Sequence, residues 1–171
     1  MTYNYKNFYK REEWPKGEWD NEPDVGGWVD ENTGLQCAFV RTNSGALCGY
    51  VGVPEGHKFY GVSYASIEIE EEGPDVHGGL TYSGKEGMSF LRKYVPTRPD
   101  PWWLGFRCSH SGDVMPGMTG IPSVFGNPSY KNLEYVKSEV ASLAQQLAAP
   151  AACEEPALIT KKNMFCKEPV K

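Results

Sequence analysis

No part of this chain approaches the ~20 consecutive apolar residues that a membrane-spanning helix requires. Its first residues, Met1-Thr2-Tyr3-Asn4-Tyr5-Lys6-Asn7-Phe8, contain no apolar signal region. These absences predict a cytoplasmic protein with no membrane partner. Dense Lys/Arg runs are missing as well. Seventeen Lys and Arg stand against 22 Asp and Glu, a formal net charge of −5, so the chain has no long-range attraction to polymeric nucleic acid or to an anionic membrane. A local basic pocket for a small anion stays compatible with that balance. There is no Cys-x-x-Cys among the five cysteines Cys37, Cys48, Cys108, Cys153 and Cys166, which argues against a zinc ribbon or a thioredoxin-like motif. Their odd number, with no secretion signal, argues against a disulfide framework. Neither strand–GxxxxGK[ST]–helix nor strand–GxGxxG–helix occurs, which removes the phosphate-binding loops those patterns encode. Internal repeats and low-complexity segments are also absent.

What is present fits one ordinary domain with a real core: 171 residues, 40% hydrophobic and 13% aromatic. Nineteen glycines and thirteen prolines point to many turns and away from a helical bundle. Residues 1–33 mix Trp14, Trp19 and Trp28 with acids and sustain no period, so they read as an irregular segment packed on the domain. Residues 34–148 read as a single α+β domain, and 149–171 as a peripheral tail. Leu35–Arg41 and Ala46–Val53 flank Thr42-Asn43-Ser44-Gly45, a hairpin pattern. Residues 58–70 alternate in polarity and predict a long strand. His77–Ser83 suits a short strand or a Gly-rich loop, Ser89–Arg92 a helical turn, and Trp103–Cys108 a strand. Leu133, Val136, Val140, Leu143, Ala144 and Leu147 form one apolar stripe of a helix over 129–148. Asn127, with Pro128 at the first helical position, or Ser129 would cap it, and Pro150 would end it. The expected architecture is α+β: a mostly antiparallel sheet, one long C-terminal helix packed on it, and Gly/Pro-rich loops.

Two junctions concentrate reactive side chains. One is Trp102-Trp103-Leu104-Gly105-Phe106-Arg107-Cys108-Ser109-His110-Ser111-Gly112-Asp113, where an apolar strand runs into Cys, His and Asp. The other is Val76-His77-Gly78-Gly79-Leu80-Thr81-Tyr82-Ser83-Gly84. Strand alternation would put Cys108 and His110 on one side and Arg107 on the other. If the loops converge, three of His57, His77, Cys108, His110 and Asp113 would hold Zn²⁺ or another divalent ion and leave a position for water; His77, Cys108 and His110 are the leading metal candidates. The alternative for these residues is a buried cysteine and loop-fixing histidines. Cys108 with His77 or His110 as base would make a nucleophile, although no Gly-flanked elbow surrounds it.

A ligand pocket is the third arrangement. Trp102, Trp103, Tyr82 or Phe106 would stack a base, and His77, Thr81, Ser83, Ser109 and His110 would give directional hydrogen bonds. Arg107, Arg92 or Lys85 would meet a phosphate, and Gly78-Gly79 would let backbone N–H groups approach. Against it, adjacent tryptophans on a strand face opposite ways, so one of them belongs to the core. The acidic residues Glu68, Glu70, Glu71, Glu72 and Asp75 lack the spacing of a Ca²⁺ loop and read as a solvated strand end.

Several stretches match in order a family of small, largely uncharacterised proteins of tailed phages and bacterial mobile elements. They are Asn32-Thr33-Gly34-Leu35, Gly45-Ala46-Leu47-Cys48-Gly49-Tyr50-Val51-Gly52-Val53-Pro54-Glu55-Gly56-His57, His77-Gly78-Gly79-Leu80-Thr81-Tyr82, the 102–113 stretch and Tyr135-Val136-Lys137-Ser138-Glu139-Val140. The chain resembles that family over roughly residues 25–148. It departs at Arg107, where family members often carry Asp, so no shared role attaches to that position. The resemblance implies a phage accessory protein in the host cytosol and carries over no activity.

Three functions follow. The leading one is binding, and so sequestration, of a small polar molecule, plausibly a nucleotide or nucleotide-derived host-defence signal, by His57, His77, Gly78, Gly79, Thr81, Trp103, His110 and Asp113. The second is a metal-assisted hydrolase of a phosphodiester or amide-type bond using His77, His110 and Asp113 with Cys108 nearby. The third is a structural or protein-interaction domain. A helix stripe and an exposed strand edge leave room for a homo-oligomer.

Overall fold

A computed structural model describes residues 3–5, 11–69, 73–86, 88–94, 99–118 and 127–148. The segment 149–171, assigned above to a peripheral tail, lies outside the described residues, as do Glu70, Glu71 and Glu72. Six strands form one sheet: β1 (Tyr3–Tyr5), β2 (Val25–Val29), β3 (Gln36–Arg41), β4 (Leu47–Val53), β5 (Tyr82–Gly84) and β6 (Trp102–Arg107). Their order is β1-β2-β3-β4-β6-β5 and every neighbouring pair is antiparallel. Among the described residues the α-helices are α1 (Tyr64–Ile69) and α2 (Leu133–Ala148). The chain is therefore α+β, with the long C-terminal helix packed on an antiparallel sheet.

Alternation along the strands sorts the side chains onto two faces. Cys37, Phe39, Leu47, Val51, Val53, Leu104 and Phe106 pack in one core with Val136, Val140, Leu143, Ala144 and Leu147 of α2. Val25, Ala38 and Trp103 form the opposite cluster with Met88 and Leu91, under a 3-10 turn at Ser89–Lys93. Gly49 lets α2 close on the sheet, because a Cβ there would lie 2.5 Å from both Phe106 Cζ and Val140 Cγ2.

Three expectations are corrected. The 1–33 segment is not irregular throughout: β2 runs through it and pairs with β3 from Val25↔Val40 to Val29↔Gln36. Two glycines in Val25-Gly26-Gly27-Trp28-Val29 weaken the local strand signal, and the ladder compensates. The packing expected of this segment holds for Trp19, which is buried edge-on against Tyr130 at 5.1 Å.

The long strand over 58–70 is replaced by turns and α1. Tyr60 N donates to His57 O, Val62 N to Phe59 O and Ile67 N to Ser63 O, while Gly61 takes φ +80. Both sides of β6 are already paired, by β4 and β5, so the alternating segment has no ladder to join there. It buries Phe59 and Ile67 from turns instead.

Helix α2 begins at Leu133 rather than 129. Asn132 caps it, its Oδ1 accepting from Tyr135 N at 3.0 Å. Ser129 is committed elsewhere: its N–H donates to Gly112 O at 2.9 Å and its carbonyl accepts from Val114 N at 3.0 Å.

A buried polar network ties the N-terminal segment to α2. Arg41 and Asp24 are both 0% exposed. Arg41 Nε donates to Asp24 Oδ1 at 2.9 Å, Nη2 to Glu22 Oε2 at 2.8 Å, and Nη1 to Gly45 O at 2.9 Å and to the Tyr130 hydroxyl at 2.6 Å. Arg11 also pairs with Asp24. Glu22 Oε1 then accepts from Leu133 N at 2.7 Å, placing a carboxylate at the positive end of the helix.

Candidate functional site

Beyond β6 the chain turns back on itself. His110 N donates to Asp113 Oδ2 at 2.8 Å and Asp113 N to His110 O at 3.0 Å. The bridge between Asp113 and Ser129 anchors this turn beside the start of α2. Facing it, a turn closed by Gly79 N donating to Val76 O at 2.9 Å presents His77. Gly78 and Gly79 take φ of +67 and +80, a region costly to residues with a Cβ. The His110 ring lies against Gly78 so closely that a Cβ there would sit 2.2 Å from its Cε1. This contact helps bring the two imidazoles to a centroid separation of 5.3 Å.

Three groups converge. His77 Nε2 lies 2.9 Å from Asp113 Oδ2, and His110 Nδ1 lies 3.6 Å from the same oxygen. One ligand atom from each of the three residues falls within 4.8 Å of the others, an arrangement able to hold a metal ion. The Asp113 side chain is only 4% exposed. His110 Nδ1 is enclosed and has no hydrogen-bond partner. Such an orphaned polar atom costs about 1–3 kcal/mol, and a cation between the three groups would engage it.

Helix α2 supplies the second layer. Tyr135 Oη lies 2.9 Å from His77 Nδ1, with the two rings nearly perpendicular. Glu139 Oε2 accepts the His77 backbone N–H at 2.8 Å. Asp75, Val76, His77, Tyr135, Glu139 and Ser142 line an open cleft of about 310 Å³, the lower end of small-molecule clefts. Burial first, then the nearby Glu139 and Asp113 carboxylates, push the Tyr135 hydroxyl above its ordinary range, so it is a neutral phenol at pH 7. Lys131 Nζ sits over the Tyr135 ring at 5.2 Å. Tyr135 and Glu139 were not among the sequence candidates. The available signal was their spacing, since residues four apart beside a helix's apolar stripe share one face.

The other candidates lie elsewhere. His57 is a helix cap: its Nδ1 accepts from Phe59 N at 3.1 Å and its Nε2 meets Leu147 O, near the end of α2, at 2.8 Å. Trp103 is 2% exposed in the cluster on the far face of the sheet, and Phe106 is in the main core. Thr81 donates its backbone N–H to Gly105 O at 2.8 Å, and Ser83 Oγ accepts from Tyr64 N at 2.9 Å. Trp102 Nε1 donates to Val62 O at 3.1 Å, and Tyr82 packs edge-on against Tyr50. Arg92 pairs with Asp100 and Lys85 with the Tyr60 hydroxyl. Arg107 lies opposite Cys48 in the ladder and is exposed.

Cys108 is the main correction. It is 2% exposed in the main core and stands outside the three-residue metal group. Burial, then Asp113, Cys48 and Glu139, drive its thiol far above the ordinary range, which removes the free thiolate that a nucleophile needs. Alternation still holds at Cys108, which joins Leu104 and Phe106 in the core while Arg107 is exposed. It fails after that: β6 ends at Arg107 and the chain turns, so His110 reaches the site instead of following Cys108 inward.

No family model matches the chain, and no curated protein or solved structure matches it. Among the described residues, no helix is long and apolar enough to cross a membrane.

Proposed function

We propose that the protein is a small metal-dependent hydrolase whose divalent ion is held by His77, His110 and Asp113. The carrying observation is the convergence of one ligand atom each from His77, His110 and Asp113 within 4.8 Å, with His110 Nδ1 enclosed and without a hydrogen-bond partner. Two imidazoles and one carboxylate are the three-ligand set that catalytic Zn²⁺ takes, its fourth position going to water, and the same set suits other divalent transition metals. A divalent ion held there would lower the pKa of a bound water toward ~7, so that the water could attack the carbonyl carbon or phosphorus of a substrate while the bond to the leaving group breaks. Glu139, whose Oε2 accepts the His77 backbone N–H, would take a water proton as general base, and the leaving group would depart with a proton. In the setting implied by the phage resemblance, the substrate is a small polar molecule of the host cytosol with a phosphodiester or amide-type bond.

Sequestration of a nucleotide without an ion is the weaker reading. Its stacking ring, Trp103, is core, and its phosphate-binding candidates Arg92 and Lys85 are engaged away from the cleft. The cleft itself is lined by Asp75 and Glu139 and by no Lys or Arg, which repels a bare phosphate.

Zinc titration by calorimetry, with His77→Ala, His110→Ala and Asp113→Ala in parallel, tests the centre. One ion per chain, lost in each variant, is the expected result. Hydrolysis of bis(4-nitrophenyl) phosphate and of amino-acid 4-nitroanilides, abolished by EDTA and restored by zinc, tests the chemistry. Equal zinc binding by the parent and all three variants would overturn the assignment.

A further inference from the structure

We propose that the ion of this centre is taken by different nitrogens of its two histidines, Nε2 of His77 and Nδ1 of His110, and that Tyr135 is the positioning residue that selects Nε2 of His77. The inference rests on the metal reading above and adds to it a coordination mode and a residue outside the ligand set.

An imidazole carries its two nitrogens on opposite edges, and which one takes a metal is set by what holds the other. In His77 the two edges face different elements. Nδ1 lies 2.9 Å from the Tyr135 hydroxyl on α2, and Nε2 lies 2.9 Å from Asp113 Oδ2. A phenol both donates and accepts, so the contact with Tyr135 holds whichever partner carries the proton. Asp113 belongs to the ligand set and Tyr135 does not. The edge toward Tyr135 is therefore engaged, and the edge toward Asp113 is the one an ion reaches.

The second torsion of a histidine is broad and roughly two-fold, so an imidazole held at one edge can swing or turn over. Turning His77 over would set ring carbons against Tyr135 Oη and Asp113 Oδ2 and lose both contacts. The same helix also holds its main chain: Glu139, one turn after Tyr135, accepts the His77 N–H at 2.8 Å. Helix α2 thus grips His77 at two points and aims Nε2 at Asp113.

His110 is placed differently. Its Nδ1 is enclosed, lies 3.6 Å from Asp113 Oδ2 and makes no hydrogen bond. Its ring is set by contact with Gly78. Nδ1 is the nitrogen left for the ion. One ligand is fixed by a hydrogen bond from behind and the other by packing, so loss of the Tyr135 hydroxyl should disturb the first and spare the second.

In ¹⁵N-histidine-labelled protein loaded with ¹¹³Cd²⁺, metal–nitrogen coupling reads the ligating atoms directly. Coupling is expected at Nε2 of His77 and at Nδ1 of His110. Coupling at the other nitrogen of either ring overturns the inference and leaves the metal centre standing, whereas no coupling at either histidine sinks both. Tyr135→Phe keeps the ring and removes only the hydroxyl. It is expected to bind zinc about 10–100-fold more weakly, and to lose or move the His77 coupling while that of His110 stays. Unchanged zinc affinity, or a His77 coupling still confined to Nε2, overturns the role of Tyr135; the second readout stands even where the variant is less stable.

Discussion

Arg41 and His110 are both polar groups set into the body of this protein, and their surroundings differ in one decisive respect. Arg41 is fully buried, and Asp24, Glu22, Gly45 and Tyr130 accept from every nitrogen of its guanidinium. His110 is partly exposed, yet its Nδ1 is enclosed beside a carboxylate with no bond of its own. A guanidinium with every nitrogen engaged fixes a structure, whereas an enclosed nitrogen without a partner calls for an explanation, of which a bound ion is one. Both reach the 127–133 segment, one through Tyr130 and Glu22 and the other through the bridge of Asp113 to Ser129. The closed network thus holds in place the chain that carries the open one.

Breaking the closed side should give the largest effect. Arg41→Ala removes a charged partner from two carboxylates, one of them fully buried, leaving Asp24 to Arg11 and Glu22 to Tyr130 and Leu133, and is expected to lose about 3–5 kcal/mol in denaturant unfolding. A loss below ~1 kcal/mol would mean that the network contributes little and that the contrast with His110 is false.

The buried thiols sharpen the boundary between core and site. Burial pushes Cys37 to about 12 and Cys48 to about 11 from an ordinary value of 9.0, and Cys108 moves the same way. Above pH ~9 the unfolded chain loses thiol protons that the folded chain keeps, so stability is full below that value and falls as pH rises toward the folded values. The expected slope is up to about 1.4 kcal/mol per pH unit for each thiol ionised only when unfolded. Urea midpoints that stay level from about pH 8 to about pH 10.5 would show the thiols to be open to solvent.

Gly78→Ala presses a methyl group into the His110 ring and strains a positive φ. It is expected to cost about 1–2 kcal/mol and to weaken zinc at least tenfold by moving one ligand. Unchanged zinc affinity would separate Gly78 from the centre. The smallest stability change belongs to His110→Ala, within about 0.5 kcal/mol, together with loss of zinc binding. The open side of the comparison should therefore give up binding without giving up the fold.

Much of the fold was legible because it rests on local periods. Strand-like runs about a turn marked β3 and β4, an apolar run marked β6, and the stripe from Val136 to Leu147 marked α2. Alternation misplaced 58–70, whose pattern was equally satisfied by turns and a short helix. It also missed β2, where glycines hide a strand that exists through its partner. In the site, His77, His110 and Asp113 stood out by chemical type. His57, Thr81, Trp103 and Cys108 had the same appeal and went to a cap, a backbone pairing and two clusters of the core. Tyr135 and Glu139 were overlooked because a helix face seldom announces what stands opposite.

By itself the sequence determined the sheet and helix periods, the absence of known phosphate-binding loops and the short inventory of reactive side chains, since each depends on neighbours within a few residues. Which of those side chains meet was decided only by tertiary structure. His77 and Asp113 are 36 residues apart and His77 and Tyr135 are 58 apart. Contacts at that separation follow from how the sheet, the glycine turn and α2 pack together, which no local pattern encodes. That packing sent Cys108 inward and brought His110, two residues later, beside His77 and Asp113.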